Sequence, residues 1–272
     1  MPGTGGGNGA VTRSTLRQQL ADALRDEVLA GRLKPGQEFT VKEIAEQYGV
    51  SATPVREALV DLSAQGLLDA VQHRGFEVHA YSVADYRNMV EARILVTDGM
   101  FRRLGDRKVD PRTAAALAGV RRRGEEARRA ATAGDLDILI GYDLRFWREL
   151  SALFGNPYLT DFLHRLRVQA WVCAVQHLRQ TDVRTDSRTN DRASDRTADR
   201  TADRTADRTA NRTANRIHDG ANDHPDDLKG RLWADHTDLV DALTRRDAQT
   251  AQELIAGYDE QSLTLVERLA DG

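Results

Sequence analysis

The chain has 272 residues, of which 40% are apolar and 30% charged, and its formal net charge is −3. This length suffices for one large or two modest domains with buried cores, and the small net charge names no partner. The apolar runs are too short for a membrane span, and the single cysteine, Cys173, gives no disulfide framework. We therefore expect a soluble, mainly α-helical, cytoplasmic protein.

Composition divides the chain into four regions. Residues 1–10 are a glycine-rich leader that lacks the features of a signal peptide. Residues 11–80 hold three short helical patterns and a strand-like end. Long helical patterns fill residues 81–180 and 227–270, and residues 181–226 are low-complexity polar sequence.

The first helix is predicted from four apolar residues at every fourth position: Leu16, Leu20, Leu24 and Val28. The stretch "GRLKPGQ", which contains two glycines and a proline, is expected to end this helix.

The start of the second helix has a complete set of capping signals. Thr40 and Glu43 are spaced as a capping box, and Phe39 and Ile44 as the hydrophobic staple around it. Gly49 can supply the left-handed residue that ends the helix.

The third helix is predicted in "SATPVREALVDLSAQGLL", with Thr53 as N-cap and Pro54 at the first helical position. Val55, Leu59 and Leu62 form its inward stripe. "LLDAVQHRGFEVHA" then indicates two strands around a turn at 73–75. This order of elements predicts an N-terminal winged helix-turn-helix.

A helix-turn-helix places the first residues of its second helix against DNA. Here these include Ser51, Thr53 and Arg56, where Arg56 suits guanine or phosphate and the two hydroxyls suit phosphate. His73 and Arg74 of the wing can reach a minor groove or the backbone.

The net charge of residues 11–80 leaves open an alternative to DNA binding. They carry 8 Lys and Arg against 10 Asp and Glu, a net charge of −2 rather than the basic footprint usual for DNA binding. The alternative is a helical protein-interaction module that lacks specific DNA binding.

"LRDEVLAGRLKPGQEFTVKEIAEQYGVSATPVREALVDLSAQGLL" resembles the DNA-binding domain of the GntR family of bacterial transcription regulators. "YRNMVEARILVTDGMFRRL", "YDLRFWRELSALFGNPYL" and "ADHTDLVDALTRRDAQTAQELIAGYDEQ" resemble helices of the FadR-type effector domain, called FCD. The resemblance implies a homodimer in which a winged helix precedes an all-helical FCD bundle. It also implies that a small molecule, often an organic acid, changes the affinity for operator DNA.

Carried over by position, the family's DNA contacts fall on Lys42, Ser51, Thr53, Arg56, His73 and Gly75. Ala52 stands where the family commonly has Arg, which removes one expected base contact.

Four polar residues lie on apolar stripes of predicted helices and are therefore expected to point inward: Arg93, Asp143, His236 and Tyr258. Buried charges need partners, so we expect these residues to meet in one pocket within the bundle.

The resemblance implies that this pocket corresponds to the metal site of the family, because many FCD domains bind a divalent metal there through one Asp and three His. Asp143 and His236 match two of those positions, but Trp147 and Tyr258 stand at the other two. Two ligands are too few for a usual zinc site, so no metal or other cofactor is expected. We expect Arg93, together with the other four residues, to hold the carboxylate of an effector.

Two interpretations without a ligand remain open. Arg93 could form a buried ion pair with Asp143. His236 could be a core histidine hydrogen-bonded to Asp143 or Tyr258. An enzyme is not expected, because the sequence lacks a glycine-rich phosphate loop, a nucleophile elbow and a complete metal triad.

In the repeat "RTAD", Arg recurs at every fourth position from Arg184 to Arg216. A four-residue step drifts about 40° per repeat on a helix, so no lasting apolar face exists. The resemblance makes this segment an insertion between two FCD helices. We expect disorder or an exposed helix; an arm that contacts DNA phosphates is the functional alternative, although nine Arg face seven Asp in 182–216.

Overall fold

The computed structural model describes residues 15–102, 110–198 and 236–271. The chain divides between Ala80 and Tyr81 into two units. The leader predicted for residues 1–10 lies outside the described residues.

The described residues form nine helices and three short strands. In chain order they are α1 (Leu16–Leu29), β1 (Glu38–Phe39), α2 (Val41–Tyr48), α3 (Ala52–Ala64), β2 (Leu68–Val71), β3 (Gly75–Val78), α4 (Val83–Arg102), α5 (Pro111–Ala133), α6 (Leu136–Ala152), α7 (Pro157–Ala198), α8 (His236–Arg245) and α9 (Ala248–Asp271).

The N-terminal unit is a winged helix-turn-helix, as predicted. The inward stripe of α3 is confirmed, since Val55, Leu59 and Leu62 have no exposed surface. α1 packs against α3, which buries the predicted stripe of α1 except for Leu16, which is 47% exposed.

The wing is a three-stranded antiparallel sheet in the order β1-β3-β2. The β2–β3 hairpin is confirmed, whereas β1 was not predicted. A strand of two residues is too short to show the alternation of apolar and polar residues by which strands are predicted. Its pairing depends on β3, in which Phe76, 37 residues after Phe39 in the sequence, aligns with Phe39.

The capping box of α2 is confirmed. The Thr40 hydroxyl accepts a hydrogen bond from the Glu43 backbone N–H at 3.2 Å, and the Thr40 N–H donates to Glu43 Oε2 at 2.7 Å. Gly49 ends the helix in the left-handed conformation, with φ of 63°. The turn before α3 is therefore fixed by local sequence.

The predicted start of α3 is wrong by two residues. Ser51, in extended conformation, is the N-cap, so Thr53 and Pro54 lie within the first turn. Proline is tolerated there because the N–H groups of a first helical turn have no partner within the helix. The shift leaves both Ser51 and Thr53 exposed at the helix N-terminus.

The C-terminal unit is an all-helical bundle, as predicted. α5 packs against α6 and α8, α7 packs against α4 and α6, and α9 packs against α4, α7 and α8. Buried side chains between these helices form the main core: Phe101, Leu117, Val120, Phe146, Trp147, Leu150, Leu239, Val240, Ala242, Leu243, Ala251 and Ile255.

α7 continues through Ala198 and so includes the first part of the "RTAD" repeat. A preformed helix extends without a new nucleation cost, and Ala and Arg are good helix formers. Residues 184–198 of the repeat are therefore helical, and α7 runs without a break through the boundary predicted at residue 181. Residues 199–216 lie outside the described part.

Across the described ranges, no helix combines the length and apolarity that crossing a membrane requires.

Candidate functional site

The N-terminal unit has a concave surface between α2, the start of α3 and the wing. It brings together five of the seven residues expected to contact DNA. Its lining residues are Thr40, Val41, Lys42, Ala45, Glu46, Gly49, Val50, Ala52, Arg56, His73, Arg74 and Gly75. The other two, Ser51 and Thr53, are exposed at the adjoining N-terminus of α3.

Three basic side chains on this surface differ in their surroundings. Arg56 is exposed on α3 and has no ion pair within the described residues. The Lys42 ammonium lies 3.7 Å from Glu46, and Arg74 Nη1 lies 3.0 Å from Glu38. Arg56 is therefore the basic group there that is available to a ligand without giving up an ion pair.

The wing tip depends on Gly75. Its φ is 123°, and a Cβ atom at this position would lie 2.4 Å from the Phe39 carbonyl oxygen. Only glycine lets β3 approach β1 this closely. His73 also has a positive φ, of 64°, in the turn between β2 and β3. The side chains of His73 and Arg74 are exposed at this turn.

A cluster of polar side chains lies inside the C-terminal unit, and the sequence-based expectation of inward-facing residues is confirmed. Asp143 has no exposed surface, Arg93 is 3% exposed and His236 is 5% exposed. Tyr258 is partly buried and packs with its ring centroid 5.3 Å from that of Trp147. The structure thus brings all five predicted pocket residues together.

Arg93 forms its buried ion pair with Asp259, not with Asp143. The alternative of a buried Arg93–Asp143 pair, left open by the sequence, is therefore wrong. Burial raises the pKa of the Asp259 carboxyl, and the Arg93 guanidinium opposes that effect. Asp259 shares a helix face with the buried Ile255 and Ser262, so the periodicity that revealed Arg93 could also have revealed Asp259.

Asp143 has three polar neighbours. Trp171 Nε1 donates to its Oδ2 at 2.6 Å, and Arg167 Nη1 lies 3.9 Å from the same oxygen. His236 Nε2 lies 3.4 Å from Oδ1. Neither Arg167 nor Trp171 was predicted, although both lie on the apolar face of α7, where the same reasoning applies.

Arg167 is 5% exposed and lies against two aromatic rings. Its guanidinium carbon is 4.0 Å from the centroid of the Trp147 ring and 5.3 Å from that of Tyr258. Its Nη1 donates to the Tyr258 hydroxyl at 2.9 Å. Burial lowers the pKa of Arg167 and raises that of Tyr258. Arginine is nevertheless charged in proteins, and the raised pKa of Tyr258 keeps its phenol neutral near neutral pH.

His236 is a core histidine, as expected, but its Nε2 and Asp143 Oδ1 do not form the hydrogen bond of that interpretation. Its ring packs edge-on against Phe146, with centroids 4.5 Å apart, and lies 6.0 Å from the Trp147 and Tyr258 rings. Asp143 is the carboxylate beside it, at the 3.4 Å given above.

The residues present do not fit a divalent metal. Within the described ranges, no three His, Cys, Asp or Glu side chains are grouped so that they could hold an ion. Trp147 and Tyr258 supply an indole and a phenol where metal-binding FCD domains have imidazoles, and Arg167 brings a positive charge between them.

A small cavity adjoins the cluster and is lined by Arg93, Thr97, Met100, Phe101, Trp147, Leu150, Ser151, Phe154, Leu163, His164 and Arg167. It measures about 20 Å³, which is room for a single water. Arg93 Nε and Trp147 Nε1 are buried donors without a hydrogen-bond partner in the described structure. Arg93 and Trp147 both line the cavity, and their unpartnered donors favour an acceptor such as a carboxylate oxygen.

A winged helix-turn-helix followed by a helical bundle is the architecture of a transcription regulator with a separate sensory domain. Residues 16–78 match the family model described as bacterial regulatory proteins, gntR family, and residues 88–208 match that of the FCD domain. The chain belongs to the GntR family and carries an FCD domain, as its sequence motifs indicated.

Several curated relatives are named as transcription regulators. A probable D-xylose utilization operon repressor of Paenarthrobacter nicotinovorans is 40% identical over 83 residues, which are 30% of this chain and 37% of that protein. McbR of Escherichia coli K12 is 27% identical over 62% of this chain and 73% of its own length. An uncharacterized regulator of Agrobacterium vitis is 31% identical over 48% of this chain and 75% of its own length.

Solved structures show the same fold. Escherichia coli McbR/YncC has a TM-score of 0.67 at 19% identity, covering 94% of this chain and 99% of its own. A GntR regulator from Rhodococcus sp. RHA1 has a TM-score of 0.63 at 16% identity, covering 93% and 98%. These families and relatives are transcription regulators rather than enzymes, which agrees with the sequence-based expectation.

Proposed function

We propose that this regulator binds a twofold-symmetric operator as a homodimer in the cytoplasm and that a small carboxylate-bearing metabolite changes its affinity for that operator. The concave surface around Arg56 supports the DNA-binding part. The buried Arg93, which lines the cavity and has an unpartnered Nε, is the observation that carries the effector part.

Arg93 is suited to a carboxylate because its planar guanidinium can donate two parallel hydrogen bonds. In the structure it is engaged by Asp259. An incoming carboxylate would therefore use the free Nε edge or compete with Asp259 for the guanidinium. Either choice changes the contact between α4 and α9, because Arg93 and Asp259 join these two helices.

Because the cavity is small, an effector can bind only if the protein changes its conformation. A space of about 20 Å³ holds a water but no organic acid, so side chains around Arg93 and Trp147 must move when a ligand enters. Packed helices respond to such displacements by shifting between discrete arrangements. In a dimer, that shift would alter the spacing of the two recognition helices relative to the operator.

The DNA part is tested by selecting binding sequences in vitro and measuring affinity by fluorescence anisotropy across a salt series. Arg56→Ala should weaken binding at least tenfold, while the exposed Arg32→Ala, outside the concave surface, should not. Equal affinities for wild type and Arg56→Ala would disprove the assigned recognition surface. Weak binding with no preferred sequence in the wild type would favour the protein-interaction module instead.

The effector part is tested by calorimetric titration of a panel of mono-, di- and tricarboxylic acids. An acid that binds wild type should lose most of its affinity in Arg93→Ala and keep it in Arg87→Ala. Arg87 is the matched control because it is an exposed arginine on the same helix. Equal affinity for the Arg93 variant would remove this residue from the effector site.

A further inference from the structure

The guanidinium of Arg167 lies at the centre of three side chains of the buried cluster. It donates to the Tyr258 hydroxyl at 2.9 Å, stacks 4.0 Å from the centroid of the Trp147 ring and lies 3.9 Å from Asp143 Oδ2. Asp143, Trp147 and Tyr258 occupy three of the four positions at which metal-binding FCD domains carry their ligands. The cation in this place is thus a side chain of the protein itself.

We propose that Arg167 is a built-in cation that replaces the divalent metal of this domain, so that the cluster is assembled and charge-balanced without a metal ion. The proposal concerns the same cluster as the effector site but depends on neither DNA nor effector binding.

The residue types around Arg167 suit a guanidinium better than a metal ion. An indole face attracts a guanidinium through its π electrons, and Arg stacks on aromatic rings more readily than other cations do. A neutral phenol accepts one of its N–H groups but is a rare metal ligand. Asp143 supplies the negative charge that a buried arginine requires.

The separation between Asp143 Oδ1 and His236 Nε2, 3.4 Å, would allow both atoms to approach one metal ion. Two protein ligands are nevertheless fewer than the three that zinc sites keep. An ion held there would also share the Asp143 carboxylate with Arg167, and the two like charges would repel each other in a site shielded from water.

The first test uses the wild-type, full-length protein. It is incubated with Zn²⁺, Mn²⁺ or Ni²⁺, dialysed and analysed for metal content, and its melting temperature is measured with each ion and with EDTA. We expect far less than one bound ion per chain and no change in melting temperature. A stoichiometric ion whose removal by EDTA lowers the melting temperature would overturn the proposal.

The second test asks whether Arg167 occupies the place of the metal. Trp147→His with Tyr258→His restores the two missing imidazoles, and a triple variant adds Arg167→Ala. The triple variant should bind Zn²⁺ at least tenfold more tightly than the double variant, with a metal-dependent rise in melting temperature. Equal affinity in the two variants would show that Arg167 does not exclude the ion.

Single variants keep the proposal testable if the triple variant does not fold. Arg167→Ala should melt several degrees below wild type, because it leaves Asp143 without its cation, and Arg167→Lys should recover part of that loss. Arg165→Ala, on the exposed side of the same helix, is the control and should melt like wild type. A melting temperature of Arg167→Ala equal to that of wild type would contradict the proposed charge balance.

Discussion

Gly124 of α5 faces His236 of α8 at a distance that leaves no room for a side chain: a Cβ atom on Gly124 would lie 2.9 Å from the His236 Cβ and 3.2 Å from Phe146 Cε2. Gly124 therefore allows α8 to approach α5 and holds His236 against Phe146 and Asp143. The place of His236 in the cluster depends on this contact between helices.

Gly124→Ala should destabilise the C-terminal unit by about 1–3 kcal/mol, because overpacking forces His236 or the whole of α8 to move. Gly119→Ala on the same helix is the control. Its Cβ would meet only Arg122 Nη2, at 3.8 Å, so the helix propensity of alanine should make it neutral or stabilising. Urea unfolding measures both, and equal free energies of unfolding would contradict the close approach.

Removing Arg93 should cost roughly 3–5 kcal/mol, because Arg93→Met leaves the Asp259 carboxylate buried without its cation. Glu91→Gln on the exposed face of α4 is the control and should change the stability little. Both are compared with wild type by urea unfolding near pH 7.

The same variant should show a characteristic pH dependence. Burial raises the pKa of Asp259 above its unfolded value, and loss of Arg93 removes the opposing effect. A carboxyl with a raised pKa favours folding when protonated, so its contribution is fully present below the unfolded pKa and is lost as pH rises through the folded pKa. The stability deficit of Arg93→Met should thus shrink as pH falls from about 7 toward 4. A deficit that is constant over this range would exclude Asp259 as the stranded charge.

Glu43 should stabilise α2 in the opposite pH window. The backbone N–H of Thr40 lowers the pKa of the Glu43 carboxyl, so its contribution is present above the unfolded pKa and is lost as pH falls through the folded pKa. Wild type should therefore be more stable than Glu43→Gln near neutral pH, and this difference should disappear in acid. Thr40→Ala, which removes the cap itself, should cost about 1 kcal/mol. Thermal unfolding across pH measures these differences, and a gap that persists in acid would refute the effect of charge.

Acidic residues on the concave surface should weaken DNA binding. Glu46 lies 3.7 Å from Lys42, so Glu46→Gln should free that ammonium, raise operator affinity a few-fold and steepen its decline with salt. Glu57→Gln, on α3 but outside the lining of this surface, is the control. Anisotropy titrations at several salt concentrations measure the operator affinity of each protein. If affinity falls with salt equally steeply in wild type and Glu46→Gln, Lys42 does not contact the DNA phosphates.

The sequence by itself determined the order of the helices, the cap of α2, the turn before α3 and the inward direction of Arg93, Asp143 and His236. These features are local: a capping box acts over three residues, and the face on which a residue lies follows from helical periodicity. The family resemblance rests on the same short-range patterns, and it was confirmed for both domains.

Only the tertiary structure decided which buried groups meet. Arg93 pairs with Asp259 rather than Asp143, and Asp143 contacts Trp171 and approaches Arg167, because α4 packs against α9 and α6 packs against α7. Periodicity states that a charge is buried but not which helix lies opposite it. A buried charge must nevertheless find a partner, and the helix packing that selects this partner also placed a guanidinium among Asp143, Trp147 and Tyr258.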